Sequence, residues 1–354
     1  MTRITRLMAH SDVATSLALL GDRELTEVVA SGTPLGTGIG GRSALVEVDG
    51  RRVFVKRVPL TDAELRPENV RSTANLLGLP MFFHYGVGGS PGFGAWRELA
   101  VHTMTTNWVL SDRFSGFPLM HHWRVLPDEP QPLPPELADV EGAVAYWGGS
   151  PQVRERIEGR RTASASLVLF LEYVPYTVHD WFDAQLRTQD GAEAACALVE
   201  RELKGITDFL REHELLHFDA HFENILTDGR QLYLADYGLA LSARFPLTPE
   251  ERVFFDRHRD YDVCYTAAHL VNWLAKALYG YDAQEREVFV RECVGGRRPE
   301  GIPGAAADII VRNAPVAAVT GDFNRRLVQE SRLTPYPYEE LRRLVQGAGT
   351  PASR

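Results

Sequence analysis

Residues 217–238 constrain the fold of this 354-residue chain more than any other segment. They contain two short apolar runs separated by a Thr-Asp-Gly turn, a pattern that predicts a small β-hairpin. Asp219, Asn224 and Asp236 flank the two runs, so the hairpin would bring these three side chains to neighbouring ends of its strands. One carboxylate beside an Asn–Asp pair of oxygen donors suits an acceptor hydroxyl and a Mg²⁺ ion.

Phosphoryl transfer is the chemistry that needs such a set, because it depends on a metal held on phosphates and on an aligned acceptor oxygen. Two features that precede this segment in the chain also suit phosphate binding. Gly36, Gly38 and Gly41 form a glycine-rich turn ahead of a hairpin that Asp49-Gly50 predicts. Glycines let backbone N–H groups approach phosphate oxygens. Lys56 ends the second strand of that hairpin, and a compact ammonium group suits contact with two phosphates.

Lysine is rare in this chain, since only Lys56, Lys204 and Lys276 are lysines among 38 basic residues. Arginine serves almost everywhere else, so a lysine at residue 56 supports a specific role there. Coding bias alone also explains the ratio.

Charge and hydropathy exclude several classes of partner. The net charge of −9 argues against a general nucleic-acid or anionic-membrane surface. The longest uncharged run, residues 78–96, is broken by prolines and glycines and cannot cross a bilayer as a continuous helix. We therefore expect a cytoplasmic protein without nucleic-acid or membrane partners.

The distribution of periodic segments predicts an α+β chain with a β-rich front and a helical back. Helices are predicted at residues 96–110, 178–187, 191–214, 261–279 and 283–293, and strands at 166–175, 224–226 and 231–235. The proline-rich stretch 127–151 is interpreted as a solvated insertion loop. The sequence predicts a helical extension at residues 1–30 and a β-rich part at 31–174 with insertions at 59–95 and 127–160. A helical part follows at 175–345, and a flexible tail at 346–354.

The ordered motifs resemble the protein-kinase-like superfamily, which includes eukaryotic-like protein kinases and the aminoglycoside and choline kinases. The resemblance covers residues 33–275. It implies a bilobal fold, with a small β-rich N-lobe and a larger, mainly helical C-lobe, and a kinase that depends on ATP and Mg²⁺.

The resemblance also assigns roles to individual residues. The glycine-rich loop, the phosphate-binding lysine and the adenine-binding hinge backbone correspond to Gly36, Gly38, Gly41, Lys56, Glu172 and Val174. Asp219 corresponds to the catalytic aspartate, and Asn224 and Asp236 correspond to the metal ligands.

The partner of Lys56 is expected to be Glu98, which lies on the predicted helix 96–110. Glu64 and Glu68 are nearer in the sequence, but prolines interrupt their stretch and make it a poor helix.

Departures from the protein-kinase pattern bear on the acceptor. Phe218 replaces the usual arginine, so control by a phosphorylated activation loop is not expected. His221 stands where the aminoglycoside phosphotransferase group carries histidine, which favours a small-molecule acceptor and a direct role near the phosphates. In contrast, residues 248–250, Thr-Pro-Glu, resemble the end of a protein-kinase activation segment.

The sequence thus predicts transfer of the γ-phosphoryl group to a hydroxyl, with Ser or Thr of a peptide or protein as the favoured acceptor. A small-molecule kinase and a catalytically silent pseudokinase scaffold are the alternatives. His217 is expected to hold the catalytic loop.

Overall fold

The computed structural model describes residues 2–87 and 89–348 and has a mixed α+β architecture. The chain forms two compact units. The first comprises the residues up to Val174 together with Ala235–Ala240, and the second comprises Pro175–Leu234 and the residues from Leu241 onward. Residues 235–240, which the sequence analysis assigned to the helical part, therefore belong to the first unit.

The first unit is built on a five-stranded antiparallel sheet with the order β1-β2-β3-β5-β4. Its strands are β1 (Thr33–Gly38), β2 (Gly41–Val48), β3 (Arg51–Leu60), β4 (Met120–Pro127) and β5 (Ala165–Glu172). Its helices are α1 (Arg3–Ala18), α2 (Asp22–Ala30), α3 (Asp62–Leu65), α4 (Ala95–Leu110), α5 (Pro135–Ala138), α6 (Val140–Tyr146) and α7 (Pro151–Arg161). Two 3-10 turns lie at Pro67–Asn69 and Met81–His84.

Two hairpins organise the front of this sheet. Asp49 and Gly50 have φ values of 49° and 70° and join β2 to β3, as the Asp-Gly signal predicts. Ile39 and Gly40 join β1 to β2, with Gly38 opposite Gly41. A Cβ on Gly41, where φ is 138°, would lie 2.1 Å from the carbonyl oxygen of Arg57, so only glycine fits at this crossing.

Helices cover both faces of the sheet. On one face, α1 and α2 contribute Val13, Leu17 and Leu25 to a buried cluster with Val55 and Phe170 of the strands. On the other face, α4 packs against the strands through the buried residues Trp96, Leu99, Val58, Leu60 and Leu169. The continuous apolar run of β5 is explained by its central place between β3 and β4, because such a strand is buried on both faces.

The interpretation of residues 127–151 as a solvated loop is wrong. Residues 128–134 have no regular structure, but the rest of the stretch forms α5 and α6 and leads into α7, with Pro135 and Pro151 at the first positions of helices. Leu137, Val144 and Trp147 are buried in a cluster with Phe83 and Ile157. The apolar spacing of three to four residues after Pro135 was the signal for helices, and the proline content obscured it.

The second unit is mainly helical. Its helices are α8 (Val178–Gln185), α9 (Gln189–Glu212), α10 (Pro249–Arg257), α11 (Tyr261–Tyr279), α12 (Ala283–Val294), α13 (Gly304–Gln329) and α14 (Tyr338–Ala348). Short antiparallel strands are β6 (Tyr176–Thr177), β7 (Leu215–Leu216), β8 (Ile225–Thr227), β9 (Leu232–Leu234) and β10 (Leu241–Ser242). Strand β8 pairs with β6 and β9, and β7 pairs with β10.

Most predicted elements are confirmed within a few residues, including the 225–234 hairpin and the helices that became α4, α8, α9, α11 and α12. The helices α10, α13 and α14 were not predicted. Residues 346–348, predicted to start a flexible tail, complete α14, and residues 349–354 lie outside the described residues. Within the described ranges, no helix combines the length and apolar character needed to cross a membrane.

Candidate active site

Lys56 lies at the centre of the candidate site in the first unit. Side chains alternate along a strand, so Lys56 shares the face of Val58 that packs against α4, the helix that carries Glu98. The Lys56 Nζ atom is 2.7 Å from Glu98 Oε1 and 2.8 Å from Asp236 Oδ1. Lys56 and Glu98 are buried, whereas the Asp236 side chain is 40% exposed. The lysine therefore joins a buried carboxylate to one that reaches solvent.

These charges keep Lys56 protonated. Burial alone lowers the pKa of Lys56, but the charges of Asp236 and Glu98, with their hydrogen bonds, raise it above its ordinary value. For Glu98, burial raises the pKa, and the charge of Lys56 opposes this rise. The pair therefore depends on both members, because either charge alone would be buried without a partner.

Glu64, the alternative partner for Lys56, has a different role. Its Oε1 accepts the backbone N–H of Ala95 at 2.7 Å, at the N-terminus of α4, and its Oε2 lies 2.7 Å from Arg156 Nη1. A carboxylate at this end of a helix satisfies an unpaired N–H and interacts well with the helix dipole. Glu68 is exposed in its 3-10 turn. The Thr61-x-x-Glu64 capping box was the available sequence signal for Glu64.

The glycine-rich turn approaches Lys56 through Gly40, which the sequence analysis did not single out. A Cβ on Gly40 would lie 3.1 Å from Lys56 Nζ and 3.5 Å from Asp236 Oδ2. At Gly36 and Gly38, an added Cβ would meet no atom within 4 Å. The loop thus lies directly over the lysine, and at Gly40 a side chain would occupy the space between the backbone and the ammonium group.

Asp236 is held in a strained backbone conformation, with φ of 60°. The following residue, Tyr237, is buried, and its ring lies edge-on to His102 of α4 at 4.6 Å between centroids. The N–H of Gly238 donates to Asp236 Oδ1 at 3.3 Å. Strained non-glycine residues persist where the surroundings fix them, and they cluster at functional sites.

The predicted hinge lies at the end of β5. The N–H of Glu172 donates to the carbonyl oxygen of Leu119 at 2.7 Å, and its carboxylate pairs with Arg6 of α1 at 2.7 Å. Val174 is buried. The N–H of Glu172 is therefore engaged within the protein, and adenine binding by the backbone of Glu172 and Val174 stays a prediction.

The second unit brings Asp219 and Asn224 together. Asn224 Nδ2 donates to the Asp219 carbonyl oxygen at 2.9 Å and to Asp219 Oδ2 at 3.1 Å. With Nδ2 turned toward Asp219, the amide oxygen Oδ1 of Asn224 faces away from that carboxylate. The Asp219 side chain is 26% exposed.

Asp262 supports the loop that carries Asp219. Its two carboxylate oxygens accept the N–H groups of His217 at 2.7 Å and Phe218 at 2.9 Å. Phe218 has φ of 67°, so a strained residue again adjoins a candidate catalytic carboxylate. His217 is 1% exposed, and its Nδ1 accepts the N–H of Asp219 at 3.2 Å. These contacts give His217 a role in holding the loop.

His221 lies between two carboxylates. Its Nδ1 is 2.8 Å from Glu223 Oε2, and its Nε2 is 3.6 Å from Asp219 Oδ2. Burial lowers the pKa of His221, but the hydrogen bonds and charges of Asp219 and Glu223 raise it above its ordinary value. The imidazole is thus poised to carry a positive charge beside Asp219.

The predicted site residues fall into two sets. The first unit holds the glycine-rich turn, Lys56, Glu98, Asp236 and the hinge, and the second unit holds Asp219, His221 and Asn224. The expectation that Asp236 adjoins Asp219 and Asn224 stays a prediction. In residues 2–87 and 89–348, no group of three His, Cys, Asp or Glu side chains is arranged to hold a metal ion.

No protein-family model matches this chain, and no curated protein sequence matches it.

Proposed function

We propose that this protein is a bilobal, protein-kinase-like phosphotransferase that uses ATP and Mg²⁺ to phosphorylate a hydroxyl group. The observation that carries the proposal is the set of Lys56, Glu98 and Asp236 beneath the glycine-rich turn. A buried ammonium fixed by two carboxylates, under a loop with glycine at positions 36, 38, 40 and 41, suits a polyphosphate.

The donor set fits Mg²⁺·ATP. Bound Mg²⁺·ATP would supply the transferable phosphoryl group and the cation that offsets its charge. Lys56 would contact the α- and β-phosphates. Asp236, whose Oδ2 lies beside Gly40, would be one oxygen ligand of the metal. Asn224 would supply the second oxygen ligand through Oδ1, because its Nδ2 is turned toward Asp219.

Asp219 would orient the acceptor and take its proton. Its Oδ2 accepts from Asn224 and lies near His221, so we assign Oδ1 to the acceptor hydroxyl. Such general-base assistance contributes about 10²–10⁴-fold to a rate. The side chain is partly open to solvent, as an acceptor-binding group must be.

The first experiment separates an enzyme from a silent scaffold. We expect Mg²⁺·ATP to raise the melting temperature, and Asp219→Asn to lose turnover at least about 100-fold while it keeps ATP binding. Asp183→Asn, at an exposed position on α8, is the matched control and should behave as the wild type. If Mg²⁺·ATP does not raise the melting temperature and no ATP is consumed, the result would support the hypothesis of a silent pseudokinase scaffold.

The favoured acceptor is Ser or Thr of a peptide or protein. The small-molecule alternative is supported by His221, whose contacts with Asp219 and Glu223 set a cationic group beside the proposed base. Labelled ATP in a host lysate distinguishes these two classes, because the label is recovered on protein in the first case and on small molecules in the second. A cytoplasmic location belongs to the same proposal.

A further inference from the structure

Arg160, at the end of α7, contacts the tip of the glycine-rich turn. Its guanidinium donates through Nη2 to the carbonyl oxygen of Ile39 at 2.5 Å and through Nη1 to that of Pro91 at 3.4 Å. The residue is 5% exposed. Among the described residues, no carboxylate lies within 4.0 Å of this guanidinium. Its direct protein partners are therefore backbone carbonyls.

The side chain of Ile39 is held as well. It packs against the apolar cluster formed largely by residues of α5, α6 and α7, including Leu137 and Trp147. A Cβ on Gly89 would lie 2.4 Å from Ile39 Cδ1, so the place that Ile39 occupies is closely fitted. The tip of the turn is thus fixed by a hydrogen bond to its carbonyl group and by packing of its partly buried side chain.

The position of Ile39 determines that of its neighbour Gly40. The backbone of Gly40 lies over Lys56, and a Cβ on Gly40 would be only 3.1 Å from Lys56 Nζ. A displacement of Ile39 would therefore change the space above the lysine.

The same helix braces the partner of Lys56. Arg156 lies one turn before Arg160, on the same side of α7, and pairs with Glu64 at 2.7 Å. Glu64 in turn accepts the N–H of Ala95, at the start of the helix that carries Glu98. Helix α7 therefore contacts the turn above Lys56 and, through Glu64, the helix beside it.

We propose that Arg160 is a positioning residue that seats the glycine-rich turn over Lys56, with α7 tying that turn to the helix of Glu98. The planar fork of arginine reaches two separate carbonyl oxygens, which a lysine ammonium at the same place would not match. The effect of Arg160 on ATP binding rests on the proposed function. The effect of Arg160 on the position of the turn does not depend on that function.

The first test needs no nucleotide. Arg160→Met keeps an unbranched apolar side chain but removes the guanidinium and its donors, and Arg161→Met, at the exposed next residue, is the matched control. We expect amide hydrogen exchange at residues 38–41 to rise about tenfold or more in Arg160→Met, because a charged donor is lost, with little change in β3. Wild-type exchange at these amides in Arg160→Met would overturn the proposal.

The second test uses ATP. We expect Arg160→Met to raise the KM for ATP about tenfold with a smaller change in kcat, and Arg160→Lys to fall between it and the wild type. An unchanged KM in an enzyme that turns over ATP would overturn the positioning role.

Ile39→Ala provides the same readouts if Arg160→Met fails to fold, because it removes the partly buried side chain that packs at the tip. Leu35→Ala is its control, since Leu35 is 50% exposed on β1. Failure of the proposed function is distinguishable. If the wild-type protein does not bind ATP, the proposed phosphotransferase function is refuted. The hydrogen-exchange experiment still decides whether Arg160 holds the turn in place.

Discussion

At the scale of single residues, the two candidate carboxylates share a structural feature. Asp236 itself has a positive φ, and Phe218 directly precedes Asp219 with a positive φ. Such conformations cost on the order of 1–3 kcal/mol each, and here hydrogen bonds to charged groups hold them. Asp262 fixes the N–H of Phe218, and Lys56 fixes the Asp236 carboxylate. Each carboxylate is therefore oriented before any ligand binds.

Lys56→Arg tests whether position 56 needs an ammonium group. The charge is kept, but a larger planar group must enter a buried place between Glu98 and Asp236, beneath Gly40. We expect kcat/KM for ATP to fall at least about 100-fold, which corresponds to about 2.7 kcal/mol. Lys204→Arg, at an exposed lysine, is the control and should keep full activity. Full activity in Lys56→Arg would remove the assigned role.

His221 gives a pH-dependent prediction. Since Asp219 and Glu223 raise its folded-state pKa above the ordinary value, the charged imidazole stabilises the fold. This stabilisation is fully present below the unfolded-state pKa of about 6.5 and is lost as the pH rises through the folded-state pKa. An NMR titration should show the raised pKa, and Glu223→Gln should lower it. A titration at or below the ordinary value would contradict the assignment.

At the scale of elements, the beginning of α4 links several parts of the site. Gly94 precedes the helix with φ of 136°, and a Cβ there would lie 2.8 Å from Glu64 Oε1. Burial raises the pKa of Glu64, but Arg156 and the hydrogen bonds lower it below its ordinary value, so this carboxylate stays charged. One buried ion pair thus sets where α4 begins, and with it the position of Glu98.

Glu64→Gln tests this element. The substitution keeps the shape but leaves Arg156 buried without its counter-charge, which costs about 3–5 kcal/mol when one partner of a buried pair is removed. We expect denaturant unfolding to show a loss of this size for the first unit. Glu68→Gln, at an exposed residue of the adjoining 3-10 turn, should change stability by less than about 0.5 kcal/mol. Equal stabilities of the two variants would refute the role of Glu64.

At the scale of the whole molecule, buried neutral histidines make the protein sensitive to acid. Burial lowers the pKa of His121 and His258 to about 3 and that of His269 to about 4. Unfolding lets each imidazole take up a proton at its ordinary pKa of about 6.5. The unfolded state therefore binds more protons, and stability falls as the pH drops from about 6.5 toward 4.

The size of this effect is measurable. Each such histidine contributes a slope of up to about 1.4 kcal/mol per pH unit over that interval. Thermal unfolding between pH 7 and pH 4.5 should show the decline, and His258→Gln should reduce its slope in the second unit. A melting temperature that is independent of pH over this range would contradict the prediction.

The local motifs were readable in the sequence because they depend on neighbouring residues. The Asp49-Gly50 turn, the buried run of β5 and the hairpin of β8 and β9 follow from turn chemistry and short periodicity. The association of Asn224 with Asp219 also follows from a separation of five residues.

Tertiary structure decided what lies far apart along the chain. The Lys56–Glu98 contact joins residues 42 positions apart in the sequence, and residues 235–240 return to the first unit after sixty residues of the second. The proline-rich residues 127–135 obscured the helices α5 and α6 in the sequence, and the burial of Leu137 and Val144 depends on distant apolar partners such as Phe83. By itself, the sequence predicted most of the strands and helices and named the candidate site residues. Only the packing of distant segments decided which carboxylate meets Lys56 and what holds the turn above it, because burial and ion pairing depend on distance in space.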